Sequence, residues 1–406
     1  MTSGAGGTAE WGRAPGFRRL VAADAISPLG DAMGTIALVL HLQQRQGTAT
    51  AVATVFVAES LPPLLSPWLG ALADRRPGRR LLVSCALAQA GVVAVAAATL
   101  PTLVPLFALV LLRALFGAIA AAAAGAALPA LVDDDGLPAA NRLLGGAREL
   151  GTVFGPAAAG ALFAATGGAR VVLAVDALTF LVVAALVASL RIPAGPPRPA
   201  TSLRADTAEG LRHLWRTPVL RALAVGFWLT VLASAADDLL LVFLASDDLE
   251  AGPAGTGVLL AAASVGLVVG LLALHRWGRR IAALPAILAG LAVMALGNLL
   301  TAAAPVLAVA FLTQALRGGG VALLDANVRT LVQRTVPRAL LGRVLSNLYG
   351  GVSVAAAAGY VLGGPLLDAT SPRTMFVVIG VAGLAAAGLA AVLVRGHEPG
   401  RDEGAP

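Results

Sequence analysis

The chain has 406 residues and a mean hydropathy of +0.85; 58% of the residues are hydrophobic and only 13% are charged. Soluble proteins carry about 25% charged residues, so this composition excludes both a soluble globule and a disordered chain. The single cysteine excludes a disulfide scaffold. The composition therefore predicts an integral membrane protein.

The net charge of +7 results from 29 basic and 22 acidic residues, and all 29 basic residues are arginine. A nucleic-acid-binding surface needs basic residues interleaved with polar and aromatic ones on one face. Here the arginines form short clusters between long apolar runs. The lone cysteine and four widely separated histidines also lack zinc-ligand spacing. We expect no nucleic acid partner, no metal and no cofactor.

Apolar runs of about 20 residues, the length that crosses a bilayer as a helix, recur along the chain. They do not alternate with polar residues as barrel strands do. We therefore expect an all-α membrane protein with twelve transmembrane helices in two six-helix pseudo-symmetric bundles. The predicted spans are 20–42, 51–73, 81–100, 103–131, 144–165, 171–190, 222–244, 256–274, 281–303, 306–324, 344–367 and 375–394.

The arginines predict the orientation of these spans. If the N-terminus is cytoplasmic, 24 of the 29 arginines fall in cytoplasmic segments, three in outer loops and two within spans. This is the asymmetry that the positive-inside rule describes. The first apolar run is not followed by a signal-peptide cleavage pattern. We expect a multi-pass protein of the cytoplasmic (inner) membrane with both termini in the cytoplasm.

The longest cytoplasmic connection divides the chain. It opens with a proline-rich stretch that cannot continue a helix. Leu203, Leu211, Leu214 and Val219 then recur at roughly helical spacing, which predicts a short amphipathic helix on the inner membrane surface. The expected organisation is a tail over 1–16, a bundle over 17–190, this linker over 191–221, a second bundle over 222–394 and a tail over 395–406.

The two halves resemble each other. Arg113 in the fourth span has a counterpart, Arg317, at the corresponding point of the tenth. Repeated bundles of transmembrane helices are typical of transporters whose substrate site lies at mid-membrane between the repeats. The sequence therefore predicts a transporter.

The loop after the second span reads GALADRRPGRR over residues 70–80. A glycine there allows close helix contact, and an aspartate can accept hydrogen bonds from a helix N-terminus or a guanidinium. The loop resembles the G-x-x-x-D-R-x-G-R-x-R signature of the major facilitator superfamily, with Pro-Gly as the departure. The resemblance implies a cytoplasmic gating motif formed by Gly70, Asp74, Arg75, Arg79 and Arg80.

The fourth span contains RALFG over residues 113–117, which is similar to the R-x-x-Q-G motif of the same superfamily. An arginine at this depth costs roughly 2.5–3.5 kcal/mol, so Arg113 needs a partner or a wet cavity. The resemblance implies a part in proton transfer. The alternative is an arginine that bonds main-chain carbonyls and ties two helices together.

The fifth span contains GTVFGPAAAG over residues 151–160. It resembles the superfamily's antiporter motif G-x-x-x-G-P-x-x-G-G and contributes Gly151, Gly155, Pro156 and Gly160. The resemblance implies export. Looser matches to the macrolide-efflux-like and siderophore-exporter-like branch are ISPLGD at 26–31, ANRL at 140–143, DALTFL at 176–181 and EGLR at 209–212.

Carboxylates within the spans are candidates for the proton-binding site. Asp24 and Asp31 are seven residues apart and so lie within about 20° of one helix face, and Asp31 is the deeper of the two. Glu59 is a further candidate, as is either Asp237 or Asp238, which point about 100° apart so that at most one of them faces a central cavity. For each of them the alternative is an interfacial cap or a salt bridge.

These features predict a secondary transporter, not an enzyme, that exports a small, partly hydrophobic compound such as a drug, antibiotic or siderophore in exchange for protons. It would work as a monomer in the lipid bilayer. Candidate walls of the substrate cavity are Phe116, Phe154, Phe227 and Tyr349. The alternatives are an importer or proton symporter, a non-transporting receptor, and a prenyltransferase-like enzyme using the acidic run 133–135, which lacks a second acidic cluster.

Overall fold

The computed structural model describes residues 15–65, 68–69, 78–128, 132, 136–190, 203–277 and 282–395. All regular elements in these ranges are helical. The α-helices are α1 (Pro15–Gln46), α2 (Ala49–Ser60), α3 (Gly78–Thr99), α4 (Leu103–Ala127), α5 (Leu137–Thr166), α6 (Ala169–Ala188), α7 (Leu203–Arg216), α8 (Pro218–Ser234), α9 (Asp237–Phe243), α10 (Gly252–Trp277), α11 (Ala283–Ala302), α12 (Leu307–Thr335), α13 (Arg338–Asp368) and α14 (Pro372–Arg395).

Ten helical segments of the described chain are long and apolar enough to cross a membrane. The predicted second span contributes only the short apolar segment Ala49–Leu65, and much of its remainder lies outside the described residues. The fifth is the 30-residue helix α5, whose charged residues and glycines dilute its apolar content. The all-helical membrane architecture is therefore confirmed, and the count of twelve spans stays a prediction.

The described residues form two compact units. Unit 1 contains the described residues up to 190 together with 241–264, and unit 2 contains 203–240 and 265–395. The predicted bundles, 17–190 and 222–394, divide the chain differently because 241–264 joins unit 1. Within unit 1, α1 packs against α2, α5 and α6, and α3 packs against α4 and α6. Within unit 2, α11 packs against α12 and α14, and α8 against α13 and α14.

The connection between the predicted halves contains the helix α7, in which Leu214 is buried while Leu211 and Trp215 are exposed. Pro218 occupies the first turn of α8, where its missing N–H costs nothing. The chain therefore starts a new helix there, and Val219 belongs to α8 and not to the amphipathic helix. Residues 191–202 lie outside the described residues.

Helix α7 is held against α13 by polar contacts within unit 2. Arg343 forms an ion pair with Glu209, and the side-chain amide of Asn347 donates to the main-chain oxygen of Thr207 at 3.1 Å. Gly210 lies against the main chain of Arg343, where a Cβ atom would come within 2.7 Å of the carbonyl oxygen. These contacts fix α7 on the first turns of α13.

Candidate functional site

A buried arginine organises the polar interior of unit 1. Arg113 lies within α4, and only 7% of its side chain is exposed. Its Nη1 atom pairs with Oδ1 of Asp31 at 2.7 Å, and its Nη2 atom pairs with Oε1 of Glu59. Nη2 also donates to the hydroxyl of Thr35 at 3.0 Å. The planar guanidinium can bind both carboxylates at once because its donors form a rigid fork.

Two helices bring these groups to Arg113 of α4. Asp31 and Thr35 are four residues apart in α1, so they project from the same face of that helix. Glu59 lies in the last turn of α2, and the hydroxyl of Thr35 donates to its Oε1 atom at 2.5 Å. The side chains of Asp31 and Glu59 are 41% and 27% exposed, so the cluster combines a buried cation with two reachable carboxylates.

A third carboxylate lies beside this cluster. Asp176 of α6 is fully buried, and it interacts electrostatically with Arg113, Asp31 and Glu59. Within the described part of the chain, neither of its carboxylate oxygens has a hydrogen-bond partner. We name the set Arg113, Asp31, Glu59 and Asp176 the unit 1 cluster.

Asp24, the other carboxylate predicted in the first span, does not join this cluster. Its Oδ1 atom pairs with Nη2 of Arg148 at 2.8 Å, which links α1 to α5. The Arg148 side chain is 51% exposed. This geometry matches the salt-bridge alternative considered for Asp24.

Unit 2 contains a second buried arginine pair. Nη1 of Arg317 in α12 lies 2.9 Å from Oδ2 of Asp237, the first residue of α9, and both side chains are at most 10% exposed. The side-chain amide of Asn298 donates to both oxygens of Asp237 at 3.2 Å. Nε of Arg317 donates to Gln314 at 2.6 Å.

This second network continues through neutral groups. The amide of Gln314 donates to the hydroxyl of Thr301 at 3.0 Å, and that hydroxyl lies 2.7 Å from the hydroxyl of Thr313. We name Asp237, Arg317, Asn298, Gln314 and Thr301 the unit 2 cluster. Asp237 is the carboxylate that pairs directly with the guanidinium, and amide groups bond both of them. The neighbouring Asp238 interacts with Arg317 electrostatically and with the hydroxyl of Tyr360.

The glycines of the predicted antiporter motif make close helix contacts. A Cβ atom at Gly155 would lie 2.5 Å from that of Ala32, and one at Gly151 would lie 2.8 Å from the main-chain nitrogen of Leu29. Gly160 instead contacts the start of α10, where a Cβ atom would lie 3.0 Å from Cα of Gly257. The motif thus packs α5 directly onto the main chains of two helices.

Pro156 stands inside α5 between these glycines. It lacks the N–H that would bond the preceding turn, which is the usual origin of a helix bend. Its main-chain oxygen lies against Gly257, so a side chain at Gly257 would overlap it. Helices can approach this closely in a membrane only where small residues face each other.

Comparison with known proteins agrees with this helical architecture. A family model described as "transmembrane secretion effector", of the major facilitator superfamily, matches residues 11–402. The chain belongs to this family of transporters. The multidrug efflux pump Tap of Mycolicibacterium fortuitum is 27% identical to it over 364 residues, covering 86% of this chain and 88% of Tap.

Solved transporter structures share the fold of this family member. The nucleoside transporter NupG matches with a TM-score of 0.78 at 11% identity, covering 94% of this chain and 99% of NupG. The peptide transporter PepTSo matches with a TM-score of 0.74 at 14% identity, covering 94% of this chain and 98% of PepTSo. The expected superfamily is confirmed, as are its membrane location and its role in transport.

The gating motif of the transporter is only partly described. Gly70, Asp74 and Arg75 lie outside the described residues, as does the acidic run 133–135. Arg79 and Arg80 lie in the first turn of α3. Both side chains are exposed, and Nη1 of Arg79 donates to the main-chain oxygen of Leu190 at 3.4 Å.

The four predicted wall residues of the transporter have different surroundings. Phe154 is 60% exposed, and Phe116 packs partly buried beside Cys85. Phe227 is buried in the core of unit 2 and lines a cavity of about 10 Å³, far too small for an organic substrate. Tyr349 meets the Phe227 ring edge to face and bonds Asp325 at 2.6 Å through its hydroxyl.

Two parts of the transporter's polar interior were not identified as site residues from the sequence. The DALTFL motif predicts only a family similarity for Asp176, although an aspartate inside the apolar run VVLAVDALTF is itself a signal of function. Asn298 and Gln314 stand in equally apolar spans. Uncharged amides give a weaker signal because a membrane helix tolerates them at lower cost.

Proposed function

We propose that this transporter exports a small, partly hydrophobic compound from the cytoplasm in exchange for protons. The observation that carries the proposal is the unit 1 cluster, in which one buried guanidinium holds two partly exposed carboxylates. We further propose that it acts as a monomer in the cytoplasmic membrane, with both termini inside, as the arginine asymmetry supports.

The cluster supports exchange because Arg113 can hold Asp31 and Glu59 only while they are anions. A proton that binds either carboxylate removes the charge that attracts the guanidinium. The freed donors of Arg113 and the neutral acid then interact with the surrounding helices differently from the intact ion pair. Proton binding at this site would therefore favour one arrangement of the helices over another.

The proton gradient is large enough for this task. One proton that crosses under about 100 mV and one pH unit supplies roughly 3.7 kcal/mol. This free energy sustains a substrate gradient of about 500-fold. Two observations support the outward direction: the closely packed antiporter motif of α5 and the similarity to a multidrug efflux pump.

The proposal is tested in everted membrane vesicles that contain the full chain and are energised to acidify their interior. Ethidium and Nile red serve as a cationic and a neutral probe. We expect an uncoupler-sensitive accumulation of at least one probe, together with probe-dependent proton release from the vesicles. Accumulation that survives full collapse of the proton gradient would contradict proton coupling.

Two arginine variants refine this experiment. Arg113→Lys keeps the charge but loses the fork that binds two carboxylates, so gradient-driven accumulation should be lost. Arg148→Lys is the matched control, because Arg148 is half exposed and binds a single carboxylate, Asp24, so a lysine can replace its one ion pair. Equal impairment of the two variants would show that the Arg113 pairs have no special part in transport.

A further inference from the structure

The carboxyl group of Asp176 is buried more completely than any other acidic group of the unit 1 cluster. The residue is 0% exposed, and in the described part of the chain neither oxygen accepts a hydrogen bond. The nearby hydroxyl of Thr179 donates to the main-chain oxygen of Asp176 at 2.7 Å, and it also interacts with the carboxyl group at longer range. A buried carboxylate without donors is one of the least favourable groups in a protein interior.

The main chain of α1 accommodates this carboxyl group only because the residues that face it are glycines. A Cβ atom at Gly30 would lie 2.7 Å from Oδ1 of Asp176, and one at Gly34 would overlap Oδ2. Helix α1 also provides Asp31 and Thr35 to Arg113. The same turn of α1 therefore borders both Asp176 and the paired carboxylates.

A small cavity connects Asp176 with Arg113. Its volume is about 10 Å³, close to the space that one water needs, and both side chains line it. Nε of Arg113 also has no hydrogen-bond partner among the described residues. The remaining lining is apolar and includes Leu38 of α1, Val93 of α3 and Leu173 of α6.

The charges that act on Asp176 come from three helices. They are Arg113 from α4, Asp31 from α1 and Glu59 from α2. Helix α3 packs against α6 and presents Val92, Val93 and Ala96 to the same cavity. One guanidinium thus faces three carboxyl groups, and its two Nη atoms are already paired with Asp31 and Glu59.

We propose that Asp176 is a proton-binding residue of this transporter, protonated while Arg113 is paired with Asp31 and Glu59. A neutral carboxylic acid removes the unpaired charge from the buried side of the cluster. When a proton or a cationic substrate neutralises Asp31 or Glu59, Arg113 is free to turn towards Asp176. The O–H bond of Asp176 then breaks, its proton passes to a water, and the new carboxylate pairs with Arg113.

This inference rests on the proposed proton coupling but can be tested without transport. Infrared spectroscopy of the reconstituted full chain at neutral pH should show the C=O stretching band of a buried carboxylic acid. The band should disappear in Asp176→Asn and persist in Asp247→Asn, which removes an exposed carboxylate. It should shift in Asp176→Glu, a variant that keeps the acid if Asp176→Asn does not fold. A band that is absent from the wild type, or unchanged in folded Asp176→Asn, would overturn the assignment.

Transport in everted vesicles gives the second readout, with ethidium as the probe. Asp176→Asn should no longer accumulate ethidium against its gradient, and downhill exchange of ethidium, measured in the same vesicles, should fall by a smaller factor. Coupled accumulation by Asp176→Asn would refute the role of Asp176 and leave the proposed function intact. An uncoupled wild type would refute the proposed function, while the infrared band would still decide whether Asp176 is protonated. Transport that requires sodium, together with a missing band, would indicate a metal cation in place of the proton and would also refute the assignment.

Discussion

The two buried arginines occupy corresponding spans of the two halves, yet their surroundings differ in one decisive respect. Arg317 pairs directly with one carboxylate, Asp237, and amide groups bond both ions, while Asp238 acts on Arg317 only electrostatically and has the hydroxyl of Tyr360 as its own partner. Arg113 has three carboxyl groups around it, of which two are partly exposed and one lacks any hydrogen-bond donor in the described chain. Arg317 therefore has one direct carboxylate partner, whereas Arg113 has two and faces a third carboxyl group that is unpartnered among the described residues.

This difference indicates that the unit 2 cluster holds helices together, whereas the unit 1 cluster can change its ion pairs and its protonation. A buried ion pair with all its bonds satisfied loses stability whenever it is rearranged. A guanidinium with more acceptors than it can bind has alternative partners of similar energy. We therefore expect variants of the unit 2 cluster to change folding stability and variants of the unit 1 cluster to change coupling.

The largest expected effect is on folding. Arg317→Met leaves Asp237 as an uncompensated buried charge and should lower the stability of the protein by about 3–5 kcal/mol. The double variant Arg317→Met/Asp237→Leu removes both charges and should recover most of that loss. Thermal unfolding of the purified variants in detergent measures both effects.

The same experiment on unit 1 sharpens the comparison. Arg113→Met/Asp31→Leu should recover part of the unfolding temperature that Arg113→Met loses, but it should not recover ethidium accumulation. Recovery of accumulation in this double variant would mean that the unit 1 pair is also only structural.

The next effect is on energy conversion. Asp31→Asn keeps the shape of the side chain but cannot bind a proton, so uphill accumulation of ethidium should disappear while downhill exchange persists. The loss corresponds to the roughly 3.7 kcal/mol that one proton supplies. Counterflow and gradient-driven uptake in the same vesicles distinguish the two activities. Full accumulation by Asp31→Asn would show that another carboxylate of the cluster binds the coupling proton.

A smaller effect is expected from crowding the unit 2 cluster. A Cβ atom at Gly297 would lie 2.8 Å from Cβ of Arg317 and 3.0 Å from the main-chain oxygen of Thr313. Gly297→Ala should therefore cost about 1–3 kcal/mol of stability through overpacking. Gly350→Ala is the control, since nothing lies within 4 Å of its added methyl group. Equal melting temperatures for the two variants would contradict the packing described for Arg317.

The smallest expected effects are those of two threonine-to-valine variants, one in each cluster. Thr301→Val removes a hydroxyl that contacts Gln314, Thr313 and the main-chain oxygen of Gly297 through neutral hydrogen bonds. At about 0.6 kcal/mol for each bond, stability should fall by about 1–2 kcal/mol. Thr35→Val removes a hydroxyl that bonds both Arg113 and Glu59, so it should shift the pH dependence of transport more than the melting temperature. Opposite behaviour of the two variants would reverse the roles assigned to the units.

Much of the fold could be predicted from the sequence because a bilayer imposes a simple rule on helix length and polarity. The rule is less informative where polar residues enter a helix, as in α5, or where a proline restarts one, as at Pro218. Val219 fits the period of the amphipathic helix, but a period does not reveal the break that precedes it.

The candidate site was less predictable. Asp31, Glu59 and Arg113 stand out because a charge inside an apolar run is costly. Which charges meet depends on the rotation and depth of each helix, and a single sequence does not specify either. For that reason Asp24 and Asp31, which share a helix face, have different partners, Arg148 and Arg113. The motif around Asp176 indicates a family similarity but not that its side chain meets Arg113, so the sequence does not predict its place in the cluster.

Helix α1 meets a different neighbour with each of its successive faces. Gly30 and Gly34 lie against Asp176 of α6, and Ala32 lies against Gly155 of α5. Asp31 and Thr35 bond Arg113 of α4. Substitution tolerance along α1 should consequently follow no hydrophobic stripe, because small, polar and charged positions are each fixed by a separate helix. In a library of random variants, this one turn should accept fewer alternatives than the apolar helices that surround it.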